Sequence, residues 1–176
     1  MTEHTPSIYV DSCIYFDLLV ANKDLDPDTG EPRWKLARAL FDAVNDDRVV
    51  LAASALIEAE VACLGPYRDG STEAQSQVRG WFNAPSTKWT DVDRFLERDA
   101  AQLSRTWTPH RASKKCKLGG ADATHLAAAV RLRCDYLMTH DGGFPLGHTV
   151  NGVQVQRPEA VWVRTLDDAM VDQESD

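Results

Sequence analysis

Apolar residues along the chain follow two spacings, and their alternation predicts strands that alternate with helices. Short β-branched and aromatic runs, typical of buried strands, lie at residues 8–10, 49–53, 136–139, 153–155 and 161–163. Apolar residues at helical spacing lie at residues 13–20, 34–44, 54–64 and 121–133, and two more helices are expected between residues 72 and 107, with a break near Pro85. Polar, glycine- and proline-containing stretches at residues 23–32, 108–120 and 140–147 are expected to be loops or turns.

This order of elements predicts an α/β sandwich around a mostly parallel sheet. In such sheets, ligands bind beyond the carboxyl ends of the strands. Asp11 and Asp141 each follow a predicted strand, so both side chains are expected at that edge. Asp122 lies in the first turn of a predicted helix, where the helix dipole favours a carboxylate.

A fourth acid comes from the helix that Ser54 is expected to cap and that Gly65-Pro66 ends. Glu58 and Glu60 are both candidates, but two residues turn a helix by about 200°, so only one can face the core. The residues three and four positions from Glu60 are more apolar than those around Glu58; they are Leu56, Ile57, Cys63 and Leu64. A carboxylate there needs a partner such as a cation, which favours Glu60.

Four carboxylates without a ring of cysteines or histidines suit a hard cation, Mg²⁺ or Mn²⁺. Taken singly, an Asp beside a strand end is more often a turn or cap residue than a ligand. Ser12 and Thr139 are candidates to support the carboxylates through hydrogen bonds. His125, one helical turn after Asp122, could orient that carboxylate, although a purely structural role is the simpler interpretation. Asp17 is expected to be exposed.

Composition narrows the class of protein. The chain of 176 residues fits one domain. It contains neither an apolar run long enough to span a membrane nor a signal peptide, so we expect a cytoplasmic protein that is not bound to a membrane. The net charge of −8 is unusual for a nucleic-acid binder. A local basic cluster, Arg111, Lys114, Lys115 and Lys117, is the candidate for phosphate contacts. The cysteines are too widely spaced for a zinc site, and Cys13, Cys63 and Cys134 are expected to be reduced and packed among apolar residues.

Four segments together resemble the motifs of the PIN-domain family, in the family's order. IYVDSCIYFDLL is similar to the opening strand and helix, and SALIEAEV is similar to the second motif, in which a serine precedes the acid by six residues. GADATHLAAAV resembles the third motif and YLMTHDGGF the fourth. Their acidic positions correspond to Asp11, Glu60, Asp122 and Asp141. Cys13 departs from the pattern, since the family often has Asn or Ser there.

The resemblance implies a three-layer α/β/α sandwich over residues 1–176 as one domain. It also implies a Mg²⁺-dependent endoribonuclease similar to VapC-type toxins, with RNA as substrate, an antitoxin as partner and a homodimeric assembly. In that interpretation the four acids bind metal and activate water. The main alternative is a non-catalytic PIN-like module that binds RNA or protein. A haloacid-dehalogenase-like phosphatase is less consistent with the sequence, because Ser12 and Cys13 follow Asp11 where that chemistry needs a second Asp two residues on.

Overall fold

The computed structural model describes residues 4–107 and 118–158. The strand predicted at residues 161–163 and most of the loop predicted at 108–120 lie outside these ranges. Among the described residues, no helix combines the length and the apolar character needed to cross a membrane.

Strands and helices alternate along most of the chain, as the apolar pattern predicts. The strands are β1 Ser7–Val10, β2 Val50–Ser54, β3 Lys88–Thr90, β4 Tyr136–Met138, β5 Thr149–Val150 and β6 Val153–Gln156. The helices are α1 Ser12–Leu19, α2 Arg33–Asn45, α3 Ala55–Cys63, α4 Gly65–Arg68, α5 Thr72–Asn83, α6 Arg94–Trp107 and α7 Gly120–Arg131.

The six strands form one sheet in the order β3-β2-β1-β4-β6-β5. All neighbouring pairs are parallel except β5 with β6. The predicted α/β fold with a mostly parallel central sheet is therefore confirmed. The sequence pattern missed β3 and β5, which have only three and two residues. Segments this short bury too few side chains to show a strand period.

Strand β1 lies at the centre of the sheet, which explains why its residues do not alternate between apolar and polar. Ile8, Tyr9 and Val10 are fully buried, because helices cover parallel sheets on both faces and leave no solvent-facing side. In the register of β1 with β4, Val10 lies opposite Met138. The residues that follow these two strands, Asp11 and Thr139, therefore leave the sheet at the same edge.

Helix α3 begins and ends where the sequence predicts. The Ser54 side chain accepts a hydrogen bond from the Ile57 amide, which satisfies a free donor of the first turn. The helix ends at Cys63, before Gly65-Pro66. This short strand-to-helix connection positions Glu60 over the edge of the sheet where Asp11 emerges.

Candidate functional site

Asp11 is nearly buried and is held by three donors. Its carboxylate accepts hydrogen bonds from the Ser12 amide at 2.8 Å, the Cys13 thiol at 3.1 Å and the Thr139 hydroxyl at 2.7 Å. Its own amide donates to the Met138 carbonyl at 3.0 Å, which ties the end of β1 to β4. These contacts fix the carboxylate in one orientation and balance part of its burial.

Glu60 lies on α3, half-buried, with one oxygen 3.0 Å from His125 Nε2. The hydrogen bond from His125 is the largest influence on the Glu60 carboxyl and lowers its pKa, with a smaller contribution from the Ser12 hydroxyl. Glu60, and not Glu58, lines the cavity that contains Asp11. The sequence argument placed Glu60 within the apolar stripe of this helix. In the structure, Ile57 and Val61 form the buried stripe of α3, and Glu60 lies beside it.

Asp122 and Asp141 face each other across a glycine. A Cβ atom on Gly143 would lie 3.2 Å from Asp141 Oδ1 and 3.4 Å from Asp122 Oδ2, so the close approach of both carboxylates favours glycine there. Burial, followed by the charge of Asp141, raises the pKa of Asp122. The Asp141 amide donates to Thr139 Oγ1 at 2.9 Å, so Thr139 links Asp141 to Asp11.

All four predicted carboxylates line a single open cavity of about 420 Å³. The other lining residues are Ser12, Cys13, Cys63, Leu64 and His125. Within the described part of the chain, donor atoms of Asp11, Glu60 and His125 lie within 4.8 Å of one another, close enough to share a cation. The cavity thus concentrates oxygen donors at the carboxyl ends of β1 and β4.

His125 is buried and reaches a different carboxylate from the one that its sequence position suggested. Its Nε2 is hydrogen-bonded to Glu60 rather than to Asp122, and its Nδ1 lies 2.9 Å from the Tyr9 hydroxyl. Tyr9 was not a candidate residue, because a tyrosine in an apolar strand run gives no local sign of a polar role. Only the packing of α7 against β1 brings the two side chains together.

Asp17 is buried, and the expectation that it is exposed was wrong. It accepts a hydrogen bond from the Asn22 side chain at 2.7 Å and lies 3.3 Å from His140 Nε2. On the other side of that ring, His140 Nδ1 is 3.6 Å from a carboxylate oxygen of Asp26. The loop between α1 and α2, which carries Asp26, covers this end of α1, and the sequence could not show that contact. Asp17 does not line the cavity of the four carboxylates.

Two further expectations have different outcomes. Cys63 is exposed at the rim of the cavity rather than packed among apolar residues, because it follows the buried stripe of α3 by two residues. The candidate phosphate-binding residues Arg111, Lys114, Lys115 and Lys117 lie outside the described residues, so their position relative to the cavity stays a prediction.

Comparisons with known proteins identify the fold. No family model matches the chain, and no curated protein matches it. Among solved structures, VapC20 from Mycobacterium tuberculosis, described as a toxin that cleaves the sarcin-ricin loop, is similar with a TM-score of 0.54 and 19% identity. The match covers 82% of this chain and 97% of that one. The chain has a PIN-like fold. FitAcB from Neisseria gonorrhoeae has 17% identity and a TM-score of 0.49, over 86% of this chain and 97% of that chain.

The PIN-like fold accounts for the position of the cavity. In a parallel sheet, all strands that run in one direction place their carboxyl ends at one edge, and here β1 and β4 bring Asp11 and Asp141 to it. Helices α3 and α7 then add Glu60 and Asp122 from two different connections.

Proposed function

We propose that the protein is a metal-dependent endoribonuclease and the toxin of a toxin–antitoxin pair. The observation that carries the proposal is the convergence of Asp11, Glu60, Asp122 and Asp141 on one open cavity. Structural ion pairs rarely leave four carboxylates together without a basic side chain, and no lysine or arginine of the described residues lines this cavity. A cation is the partner that such a group of acids needs.

The donor set fits Mg²⁺ or Mn²⁺, which prefer carboxylate oxygens. The four carboxylates would hold the cation, and carboxylate oxygens of Asp11 and Glu60 lie within 4.8 Å of each other. Burial, and after it the charge of Asp141, raises the pKa of Asp122, so a cation beside it would favour its ionised form. When bound, a divalent cation supplies Lewis acidity toward a phosphate oxygen and lowers the pKa of water.

The protein's own residues prepare the cavity for that ion. Thr139 and the Ser12 amide hold Asp11 in a fixed orientation, and Thr139 also accepts a hydrogen bond from the Asp141 amide. Supporting hydrogen bonds of this kind set the orientation of metal-binding carboxylates. Thr139 is therefore assigned the positioning role, for Asp11 directly and for the backbone of Asp141.

RNA is proposed as the substrate because VapC20, which shares the fold, is a toxin that cleaves the sarcin-ricin loop. The basic residues Arg111, Lys114, Lys115 and Lys117 are proposed to contact RNA phosphates. We also propose that an antitoxin blocks the cavity and that the toxin is a homodimer, because the resemblance to VapC-type toxins implies both. The site of action is expected to be the cytoplasm.

The test is cleavage of a mixed RNA substrate by the purified protein with Mg²⁺, with Mn²⁺ and with chelator. Asp11→Asn, Glu60→Gln, Asp122→Asn and Asp141→Asn should each reduce metal-dependent cleavage about 100-fold or more, since changes even beyond the ligands cost 10–100-fold. Each variant keeps the shape of the side chain, so thermal unfolding should show an intact fold. Full cleavage by any two variants would overturn the assignment.

Glu58→Gln is the matched control, because Glu58 lies on the same helix but outside the cavity, and it should retain most of the activity. A wild-type protein that binds RNA but cleaves none with either metal would support the non-catalytic module instead. Hydrolysis of a small phosphate ester, without cleavage of RNA, would favour a phosphatase.

A further inference from the structure

A buried chain of hydrogen bonds connects strand β2 to Glu60. It starts at Ser54, whose Oγ lies 2.7 Å from the Tyr9 hydroxyl. The Tyr9 hydroxyl lies 2.9 Å from His125 Nδ1, and His125 Nε2 lies 3.0 Å from Glu60. Ser54 and Tyr9 are fully buried and His125 is 1% exposed. Solvent therefore cannot supply missing partners, and the protein groups must satisfy one another.

The direction of the hydrogen bonds follows from Ser54. Its oxygen already accepts the Ile57 amide at 3.3 Å, so its hydroxyl proton needs an acceptor. Among residues 4–107 and 118–158, the Tyr9 oxygen is the acceptor that the structure provides. Ser54 therefore donates to Tyr9, and the Tyr9 hydroxyl is left to donate to His125 Nδ1.

This direction decides which nitrogen of His125 carries the proton. Nδ1 accepts from Tyr9, so it has no proton, and the neutral ring must carry its proton on Nε2. A tyrosine hydroxyl keeps its proton at neutral pH, so Tyr9 can serve as the donor. The Nε2 proton then points to the Glu60 carboxylate, an acceptor. The opposite arrangement would place the Nε2 lone pair against a carboxylate and leave the buried Ser54 proton unpaired, and both are unfavourable.

We propose that His125 is a positioning residue that donates from Nε2 to Glu60 and is not itself a ligand of the cation. The alternative is that His125 binds the cation together with Asp11 and Glu60, since their donor atoms lie within 4.8 Å of one another. A protonated Nε2 has no lone pair for a metal, so the two roles exclude each other. Ser54 and Tyr9 act through His125 by fixing its tautomer, as a partner on the far nitrogen generally does.

The consequence for the site is a fixed Glu60. One of its oxygens accepts the His125 donor, which holds the carboxylate in place for the cation. This part of the proposal rests on the proposed function, because it takes Glu60 as a ligand. The tautomer of His125 follows from the hydrogen bonds alone and is independent of any catalytic activity.

The first test is ¹⁵N NMR of the histidine rings at neutral pH, without metal and then with saturating Mg²⁺, with the His125 signals identified by their loss in His125→Gln. We expect a proton on Nε2 and an unprotonated Nδ1 in both states. A proton on Nδ1, or loss of the Nε2 proton when Mg²⁺ binds, would overturn the proposal and make His125 a ligand. Tyr9→Phe, which removes only the hydroxyl, should shift the Nδ1 signal because that hydrogen bond is lost, while the Glu60 carboxylate keeps the proton on Nε2.

The second test is direct binding of Mn²⁺, followed by the EPR signal of the free ion. Tyr9→Phe should weaken binding about 2- to 10-fold, the value of one net hydrogen bond, and His125→Ala about 10- to 100-fold. His125→Gln keeps an N–H donor toward Glu60 and should restore affinity to within about 3-fold of the wild-type protein. Equal affinity of all four proteins would overturn the positioning role.

The two proposals fail in different ways. If the wild-type protein binds no Mn²⁺ and no Mg²⁺, the proposed function falls, and the positioning role falls with it. If the wild-type protein binds the cation and carries the His125 proton on Nδ1, only the assignment of His125 is overturned. Thermal unfolding of each variant identifies any loss of affinity that arises from loss of the fold.

Discussion

At the scale of single residues, the four carboxylates are held by different means. Asp11 and Glu60 each accept hydrogen bonds from neighbouring donors, and the bond from His125 lowers the pKa of Glu60. Asp141 accepts the Gly143 amide at 2.7 Å. Among the described residues, Asp122 accepts one long contact, from the Gly119 amide at 3.4 Å, and it faces the charge of Asp141. Three of the four acids therefore have short hydrogen bonds, and a cation would relieve the repulsion on the fourth, Asp122, most.

The raised pKa of Asp122 predicts how the metal-free protein responds to pH. An acid whose pKa is higher in the folded than in the unfolded state destabilises the fold once it ionises. That contribution is absent at a pH below both pKa values and is complete above the folded one. In chelator, Asp122→Asn should therefore be more stable than the wild-type protein at neutral pH, by about 1 kcal/mol or less. Denaturant unfolding from pH 4 to pH 8 measures the difference.

The higher unfolding free energy of Asp122→Asn relative to the wild-type protein should decrease as the pH falls toward 4. Mg²⁺ should reverse the difference, because it stabilises the wild-type protein more than the variant. Asp99→Asn, which changes an acid of α6 outside the cavity, is the control and should show neither effect. Equal stability of Asp122→Asn and the wild-type protein at every pH would mean that the four acids do not repel one another appreciably.

At the scale of elements, the contact between helices α6 and α7 positions two of the side chains that line the cavity. Asp93 accepts the amides of Phe95 and Leu96 at the start of α6 and two hydrogen bonds from Arg131 near the end of α7, at 2.9 and 3.1 Å. Further along the pair, the Thr124 hydroxyl donates to Glu97. Helix α7 presents Asp122 and His125, so its position against α6 determines where both side chains lie.

The Asp93 pairing predicts a second dependence on pH, of opposite sign. The hydrogen bonds from Arg131 and from the helix amides lower the pKa of Asp93 to about 2. Its stabilising contribution is therefore complete above the unfolded pKa of about 3.9 and is lost as the pH falls through 2. Asp93→Ala should lower the unfolding temperature at pH 7, and the difference from the wild-type protein should narrow below pH 4.

Asp93→Ser separates the two contributions of this residue. Serine can still cap α6 but cannot pair with Arg131, so it should recover only part of the loss. Thermal unfolding of the three proteins at pH 7 gives the comparison. If Asp93→Ala unfolds at the same temperature as the wild-type protein, the Asp93–Arg131 pair contributes nothing measurable to the α6–α7 contact.

At the scale of the whole molecule, the distribution of charge opposes a polyanionic substrate. The net charge is −8, and the cavity adds negative charge where a phosphate would bind, so long-range electrostatics repel RNA. A divalent cation offsets two charges and also offers coordination positions to phosphate oxygens. Cation and RNA should therefore bind with positive coupling, each tightening the other by the same factor.

This coupling is measurable with the inactive Asp141→Asn variant. Its affinity for RNA should rise about 10-fold or more on addition of Mg²⁺ at fixed ionic strength, within the usual range of coupling energies. Wild-type protein with Ca²⁺ is the companion experiment, if that ion does not support cleavage. Equal affinities with and without divalent ion in both experiments would place RNA away from the carboxylates and favour the non-catalytic module.

Much of the fold could be predicted from the sequence, because burial and turns leave local patterns. The central strand β1 is a continuous apolar run because both of its faces are covered, and α3 begins directly after Ser54 because the Ser54 side chain caps its first turn. The same reasoning missed β3. Its three residues gain their strand conformation from pairing with β2, a contact that no local pattern encodes.

For the candidate site, the sequence by itself predicted the four acids. Asp11 and Asp141 follow strands and Asp122 lies in the first turn of a helix, while Glu60 is indicated by its apolar neighbours within α3 and by the family resemblance. Only the tertiary structure decided that His125 contacts Glu60, that Tyr9 and Ser54 lie behind it, and that Asp17 is buried. Tyr9 and His125 are 116 residues apart, and their hydrogen bond exists only because α7 packs on the central sheet. Local sequence indicates which apolar side chains are buried. Which side chains meet, and whether a polar one such as Asp17 is covered, depends on how distant elements pack together.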